Sequence, residues 1–276
     1  MSPKVKQYVP VNDLAEYLKT IEKIREDWPQ PKKPRVKGDE RGLWFRGQHS
    51  AADGLSPKLH RPPFSKADEC EIRQEFQSRA LQLIQGRVPQ SDLEWYFLMQ
   101  HYGVPTRLLD WTDNPLIALF FAVDEHSLAH DAAVWVIDPW WLNKANKEVK
   151  RRKIEGPMLS DWKEAALYLC DLEDAFAGKT VRMKFPAAID PPHVDRRLAV
   201  QGSRFLIFGT RKDLTQQDEV LSNSKARLAK IPIPVSSIAL IRAELENCGI
   251  TIGTVFPDLV ALGEDIKRRW RKNDAV

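Results

Sequence analysis

The run Trp44-Phe45-Arg46-Gly47-Gln48 places a guanidinium where an apolar strand pattern asks for another hydrophobic residue. An arginine at a strand end offers a rigid fork of donors that suits a pyrophosphate or a ribose. The same charge equally suits an interior ion pair with Asp110, and the two readings agree if Asp110 orients Arg46 before a ligand arrives. A second concentration of chemistry runs from Gln100 to Thr112, QHYGVPTRLLDWT, with an imidazole, a phenol, a guanidinium, a carboxylate, an indole and a hydroxyl. Polar loops between apolar helices commonly line clefts. His101, at a helix end, also suits the plain task of capping its carbonyls.

These groups need elements to hold them. Residues 13–28 carry Leu14, Tyr17, Leu18, Ile21 and Ile24 at helical spacing behind a cap at Asn12 or Asp13. The following Pro- and charge-rich stretch, Pro29 to Gly42, reads as a solvated connector, which makes the leading helix an appendage. Leu43 to Gly47 reads as a buried strand ending at Arg46, 47–64 as loop, 67–85 and Leu93–His101 as helices, and Thr106–Thr112 as a short link. Residues 115–123 read as a helix apolar on every side, capped by Asn114 with Pro115 in its first position, and therefore central. Further on, 133–137, 181–186, 205–208 and 226–232 read as strands, and 161–172, 235–247 and 257–270 as helices. No repeat or linker divides the chain after residue 43. The fold expected is therefore α+β: one domain over 43–276, with a small mixed or antiparallel central sheet surrounded by helices, preceded by a segment over 1–42.

Composition narrows the class. Of the 276 residues, 43% are hydrophobic and 29% charged, enough to build a core without staples. Forty-two basic against 38 acidic residues leave a net charge of +4, too balanced to mark a nucleic-acid binder as a whole. The densest basic patch is Lys267, Arg268, Arg269, Arg271 and Lys272, whose sign a helix C-terminus explains and which also suits a nucleic-acid surface. Cys70, Cys170 and Cys248 are too few and too scattered for a disulfide framework or a metal knuckle, which points to a reducing compartment. With no apolar leader, and Leu116 to Val123 as the longest apolar run, a cytoplasmic protein with no membrane partner is expected. His49 and His60 lack a third ligand, so no metal is expected, and no GxSxG, P-loop or GxGxxG signal occurs.

Trp44 to Gln48, the 100–112 block, Asn114-Pro115, Ala118 to Ala122 and a late Phe256-Pro257-Asp258-Leu259 together resemble the FRG domain family, named for its Phe-Arg-Gly motif. The likeness spans roughly 43 to 265. That family is known chiefly from bacteria and their phages, which implies a toxin or anti-phage effector. A more distant resemblance is to the ADP-ribosyltransferases, which carry an Arg or His on an early strand, a Ser, Thr or Tyr before a helix, and a Glu or Gln at a later strand. Carried over, these become Arg46, Thr112 and Gln201 as catalytic residues, in a split sheet, with NAD as substrate. Trp111 or Tyr102 also suits the second role. Gln201 departs from the glutamate of most active members, so negative charge would fall to Asp110 or Glu94; ahead of Gly202 it equally suits a plain helix end. By their own chemistry Arg46, Gln48, His101, Tyr102, Arg107, Asp110 and Trp111 are the expected nucleotide-binding set, with Tyr102 and Trp111 sandwiching a nicotinamide or adenine and His101 and Gln48 bonding its amide or ribose. The activity the resemblance implies is ADP-ribosyl transfer or NAD cleavage. The alternative is a non-catalytic protein-interaction or nucleic-acid-binding module.

Overall fold

Strands that are apolar on both faces require cover on both, and the chain supplies it with helices on one side and a mixture of helix and loop on the other. A computed structural model describes residues 5–28, 42–64, 68–84, 86–124, 130–154, 156–159, 163–169, 183–191, 200–217, 221 and 226–271. The elements run β1 (Lys6–Gln7), α1 (Leu14–Asp27), β2 (Trp44–Gln48), α2 (Glu69–Ala80), α3 (Asp92–His101), β3 (Leu108–Thr112), α4 (Pro115–Val123), β4 (Ala132–Ile137), α5 (Pro139–Ala145), α6 (Lys147–Arg151), β5 (Met158–Leu159), α7 (Lys163–Ala166), β6 (Ala187–Asp190), β7 (Ser203–Ile207), β8 (Leu228–Ile233), α8 (Ile238–Asn247), α9 (Ile252–Val255) and α10 (Leu259–Arg271).

The strands form one open mixed sheet in the order β1-β8-β4-β2-β3-β7-β6-β5. Its centre is antiparallel, and among the described residues parallel pairs occur only where β1 joins β8 and β5 joins β6. The α+β fold with a mixed central sheet is thus present. The sheet is not evenly knit, however. β2 pairs with β4 along all its length from Trp44 to Gln48, and β3 pairs with β7 from Leu108 to Thr112, but β2 meets β3 only at Phe45 and Thr112. Beyond that pair the two halves of the sheet part.

One face is covered by α1, α4 and α8, which bring Tyr17, Ile21, Leu119 and Ile241 onto Phe45, Val134 and Ile231. On the same face, α3 and α7 cover the β3-β7-β6 half with Tyr96, Phe97 and Tyr168. The opposite face gathers Trp44, Leu109, Trp111 and Trp135 beneath Leu55, Leu142 and Leu214. α4 lies deepest. Asn114 accepts from the Leu116 amide, Pro115 occupies the first turn, and Ala118, Leu119 and Ala122 are fully buried, as a helix apolar all round requires.

Several expectations need correction. The leading helix packs into the core through Tyr17, Ile21 and Ile24, and the Tyr17 hydroxyl donates to the Pro115 carbonyl at 2.8 Å, so it is no appendage. The Thr106–Thr112 link is largely the central strand β3, because Leu108, Leu109 and Trp111 alternate into both faces. β2 continues past Arg46 to Gln48. The expected 181–186 strand falls partly outside the described residues, and the strand itself is β6 at Ala187–Asp190. α2 is shorter than 67–85, and α5 and α6 fill a stretch to which no element had been assigned. The connector over 29–41, the outer parts of 161–172 and Lys272 lie outside the described residues. Among the described cysteines, Cys248 is free and exposed and Cys70 is buried in α2, while Cys170 lies outside the described residues.

Candidate functional site

The Phe-Arg-Gly triplet divides its labour across the sheet. Phe45 enters the core beneath α4 and is 1% exposed. A Cβ on Gly47 would lie 2.0 Å from the Ala118 carbonyl oxygen and 2.5 Å from the Ala122 amide, so the backbones of β2 and α4 touch there and only glycine fits. Arg46, between them, points to the opposite face. Its Nη1 donates to the Asp110 carbonyl at 2.7 Å, across the opening between β2 and β3. The Asp110 carboxylate stands 3.9 Å from the same nitrogen. The Arg46 Nε is buried and has no hydrogen-bond partner, although the side chain as a whole keeps 17% exposure. Burial lowers the Arg46 pKa from the ordinary arginine value, Asp110 works against that, and the charges of Arg61 and Asp53 also reach it. Continuing the Phe45–Thr112 register one step sets Arg46 across from Trp111, whose indole Nε1 is likewise buried without a partner. Two buried N–H donors without a partner therefore stand on neighbouring strands, on one face of the sheet, where the strands separate.

A hydrogen-bonded frame holds this place. Gln100 donates from Nε2 to the Asp110 carboxylate at 2.7 Å and accepts from Thr106 Oγ1, which accepts from the Leu108 amide at 3.1 Å. Gln48 accepts from Trp135 Nε1 at 2.6 Å and donates to the Gly54 carbonyl at 2.9 Å. Its amide is thereby committed to tying the loop after β2 to the sheet. Lys230 lies over the Trp135 ring and donates to the Ala51 carbonyl, and Lys58 donates to the Gly103 carbonyl at 2.7 Å. The loop after β2 thus runs from the end of that strand to the turn ahead of β3.

The remaining expected residues are dispersed. Arg107 is buried and donates from Nε and Nη2 to Glu69, with Nη1 reaching the Phe208 carbonyl at 3.4 Å. Burial alone would lower its pKa, but the Glu69 charge and hydrogen bond prevail and raise it. His101 and Tyr102 stack edge to face and line a separate hollow of about 920 Å³ between α2 and α3, together with Ile72, Phe76 and Phe97. Thr112 donates to the Gln201 carbonyl at 2.6 Å and accepts from the Asn114 amide at 3.0 Å, while Gln201 Nε2 donates to the Val255 carbonyl at 3.1 Å. Thr112 and Gln201 therefore meet each other, but at the start of α4, with Thr112 on the face opposite Arg46.

His60, which the sequence offers only as a metal candidate, is held neutral in the fold. Burial, then the nearby charges of Arg107 and Lys212, push its pKa down to about 4, and its Nδ1 is buried without a partner. Among the described residues, no group of three His, Cys, Asp or Glu side chains is placed to hold a metal ion. Nor is any described helix long and apolar enough to cross a membrane.

The family model for the FRG domain matches residues 41–131. That span holds Arg46, the 100–112 block and α4, but neither Gln201 nor the late Phe256 to Leu259 run. No curated protein and no solved structure matches the chain.

Proposed function

We propose that the opening between β2 and β3 binds a nucleotide through Arg46, with NAD as the ligand to test first, and that the protein transfers ADP-ribose from it or cleaves it as a toxin or anti-phage effector. The observation that carries this reading is the Arg46 Nε, a buried donor with no partner, on a guanidinium that a backbone carbonyl rather than a close carboxylate holds. Buried arginine donors are normally satisfied; Arg73 also keeps a buried Nε without a partner, but it has the Asp92 carboxylate at 3.1 Å, closer than Asp110 stands to Arg46. An arginine with a spare donor, beside a second spare donor on Trp111, suits an acceptor brought by a ligand, and a phosphate oxygen matches a guanidinium best. NAD supplies such oxygens together with a ribose carbon open to displacement.

On this reading Arg46 and Trp111 hold the phosphate. Asp110, exposed and anchored by Gln100, shares the face of Thr112, but its carboxylate reaches the opening to within 3.9 Å of Arg46 Nη1 and is the carboxylate nearest to a sugar bound there. Thr112 and Gln201 brace the start of α4 instead of touching the ligand.

Calorimetric titration with NAD and with ADP-ribose tests binding, and transfer from adenylate-labelled NAD in cell extract tests chemistry. Wild type should bind, Arg46→Met should bind at least about tenfold more weakly while melting cooperatively, and Asp110→Asn should bind but lose turnover. Absence of binding by the wild type to both ligands overturns the reading.

A further inference from the structure

We propose that α10 is a membrane-surface helix that lays Leu259, Leu262, Ile266 and Trp270 into the boundary of an anionic lipid bilayer. The argument begins with an inversion. A helix on a globular protein turns its apolar stripe toward the core. At 100° per residue, the side of α10 facing the body is the one bearing Ala261, Asp265 and Arg268. Ala261 is buried, the Asp265 carboxylate lies against Gly253, and Arg268 stands 3.7 Å from Asp124. Leu259, Leu262, Ile266 and Trp270, at spacings of three, four and four, fall on the far side. Leu259 is 84% exposed and Trp270 68%, with Leu262 and Ile266 both at 46%.

Beneath the helix lies a hollow of about 300 Å³ lined by Asp124, Arg242, Glu246, Asp265 and Arg268. Apolar side chains of the body, Phe120, Val123, Leu245, Ile250 and Ile252, also line it, but the helix itself contributes only Asp265 and Arg268. Its apolar side is left for something else, since contiguous exposed apolar residues mark contact surfaces.

Charge selects the occupant. From Lys267 to Lys272 five of six residues are basic and none is acidic, with Trp270 among them; Arg268 turns to Asp124 and Lys267 donates to Glu264 at 2.6 Å, and with both acids counted against the five bases a net charge of +3 remains. Nucleic acid would satisfy those charges but offers no aliphatic surface for Leu259, Leu262 and Ile266. A second copy in a parallel pair would set like charges side by side. An antiparallel pair would set them against the partner's N-terminal turn, where Asp258 is already engaged in capping the Ala261 amide at 2.8 Å. An anionic bilayer meets both demands at once: the acyl boundary takes the aliphatic stripe, headgroup phosphates take the cations, and an indole favours the junction. The helix lies on the surface and does not span it.

The test is co-sedimentation of the full chain with vesicles of phosphatidylcholine alone or mixed with phosphatidylserine, at low and high salt. The wild type should pellet with the mixed vesicles, less so as salt rises. Leu262→Asp with Ile266→Asp, both at exposed positions, should abolish pelleting, and Lys267→Gln with Arg271→Gln should weaken it by more than about tenfold on mixed vesicles only. The proposal is overturned if wild type ignores mixed vesicles, or if pelleting survives the two aspartates. It is equally overturned if those aspartates only dissolve a dimer seen without lipid, or if the chain binds oligonucleotides through Lys267 and Arg271 and no vesicle at all.

Discussion

Arg46 and Arg107 come from the same matched span, and both carry a charge into the protein, yet they are held in opposite ways. Arg107, 8% exposed, has a buried carboxylate of its own in Glu69, itself 6% exposed. Arg46, 17% exposed, has a carbonyl at 2.7 Å and a solvent-facing carboxylate at 3.9 Å, with one nitrogen left over. A charge enclosed with its counterion is part of the scaffold, whereas a charge enclosed with a dipole and a spare donor keeps capacity for a third party. The kind of partner, more than the depth of burial, separates the two.

The sharpest way to break this contrast is to remove Glu69. Glu69→Ala strands a buried guanidinium and should cost about 3–5 kcal/mol, read as a large drop in the denaturant midpoint. Arg46→Met should cost no more than about 1 kcal/mol in the same measurement while removing nucleotide binding, since its hydrogen bond is to a carbonyl that neighbouring water can serve. Were the two variants equally unstable, the contrast would fail. Acid offers a third probe of the Arg107 side. Because the folded-state pKa of His60 lies near 4, below the 6.5 of a free histidine, its contribution is complete above pH 6.5. That contribution is lost as pH falls from 6.5 toward 4, with a slope of at most about 1.4 kcal/mol per pH unit. His60→Phe should flatten that part of the stability profile. Thr112→Val forfeits the bonds to the Gln201 carbonyl and from the Asn114 amide, about 1 kcal/mol each, and has the smallest effect on binding, leaving nucleotide affinity unchanged.

Local signals made much of this legible in the sequence. α1, α3 and α4 announce themselves through cap residues and periodicity, and the Asn114-Pro115 start is written directly in the chain. β3 was hidden because Leu108-Leu109-Asp110-Trp111-Thr112 interrupts its alternation with an exposed aspartate and follows a Gly and a Pro, which read as loop. The importance of Arg46 was readable from a charge in an apolar run. The dispersal of its supposed companions was not, since a side chain's face depends on the strand register, and Glu69, which claims Arg107, comes from a different helix. The outward stripe of α10 shows the same limit: periodicity reveals that a helix has a greasy side, never which way the body lies.

Gly47 has a mechanical consequence. With its backbone pressed against Ala118 and Ala122, β2 moves only if α4 moves, and α4 is enclosed by the core. The root of Arg46 is therefore stationary, and any adjustment on admitting a guest must come from the other bank, where β3 is joined to β2 at one rung. Recognition here would work like a fixed jaw and a yielding one, with the motif supplying the fixed one.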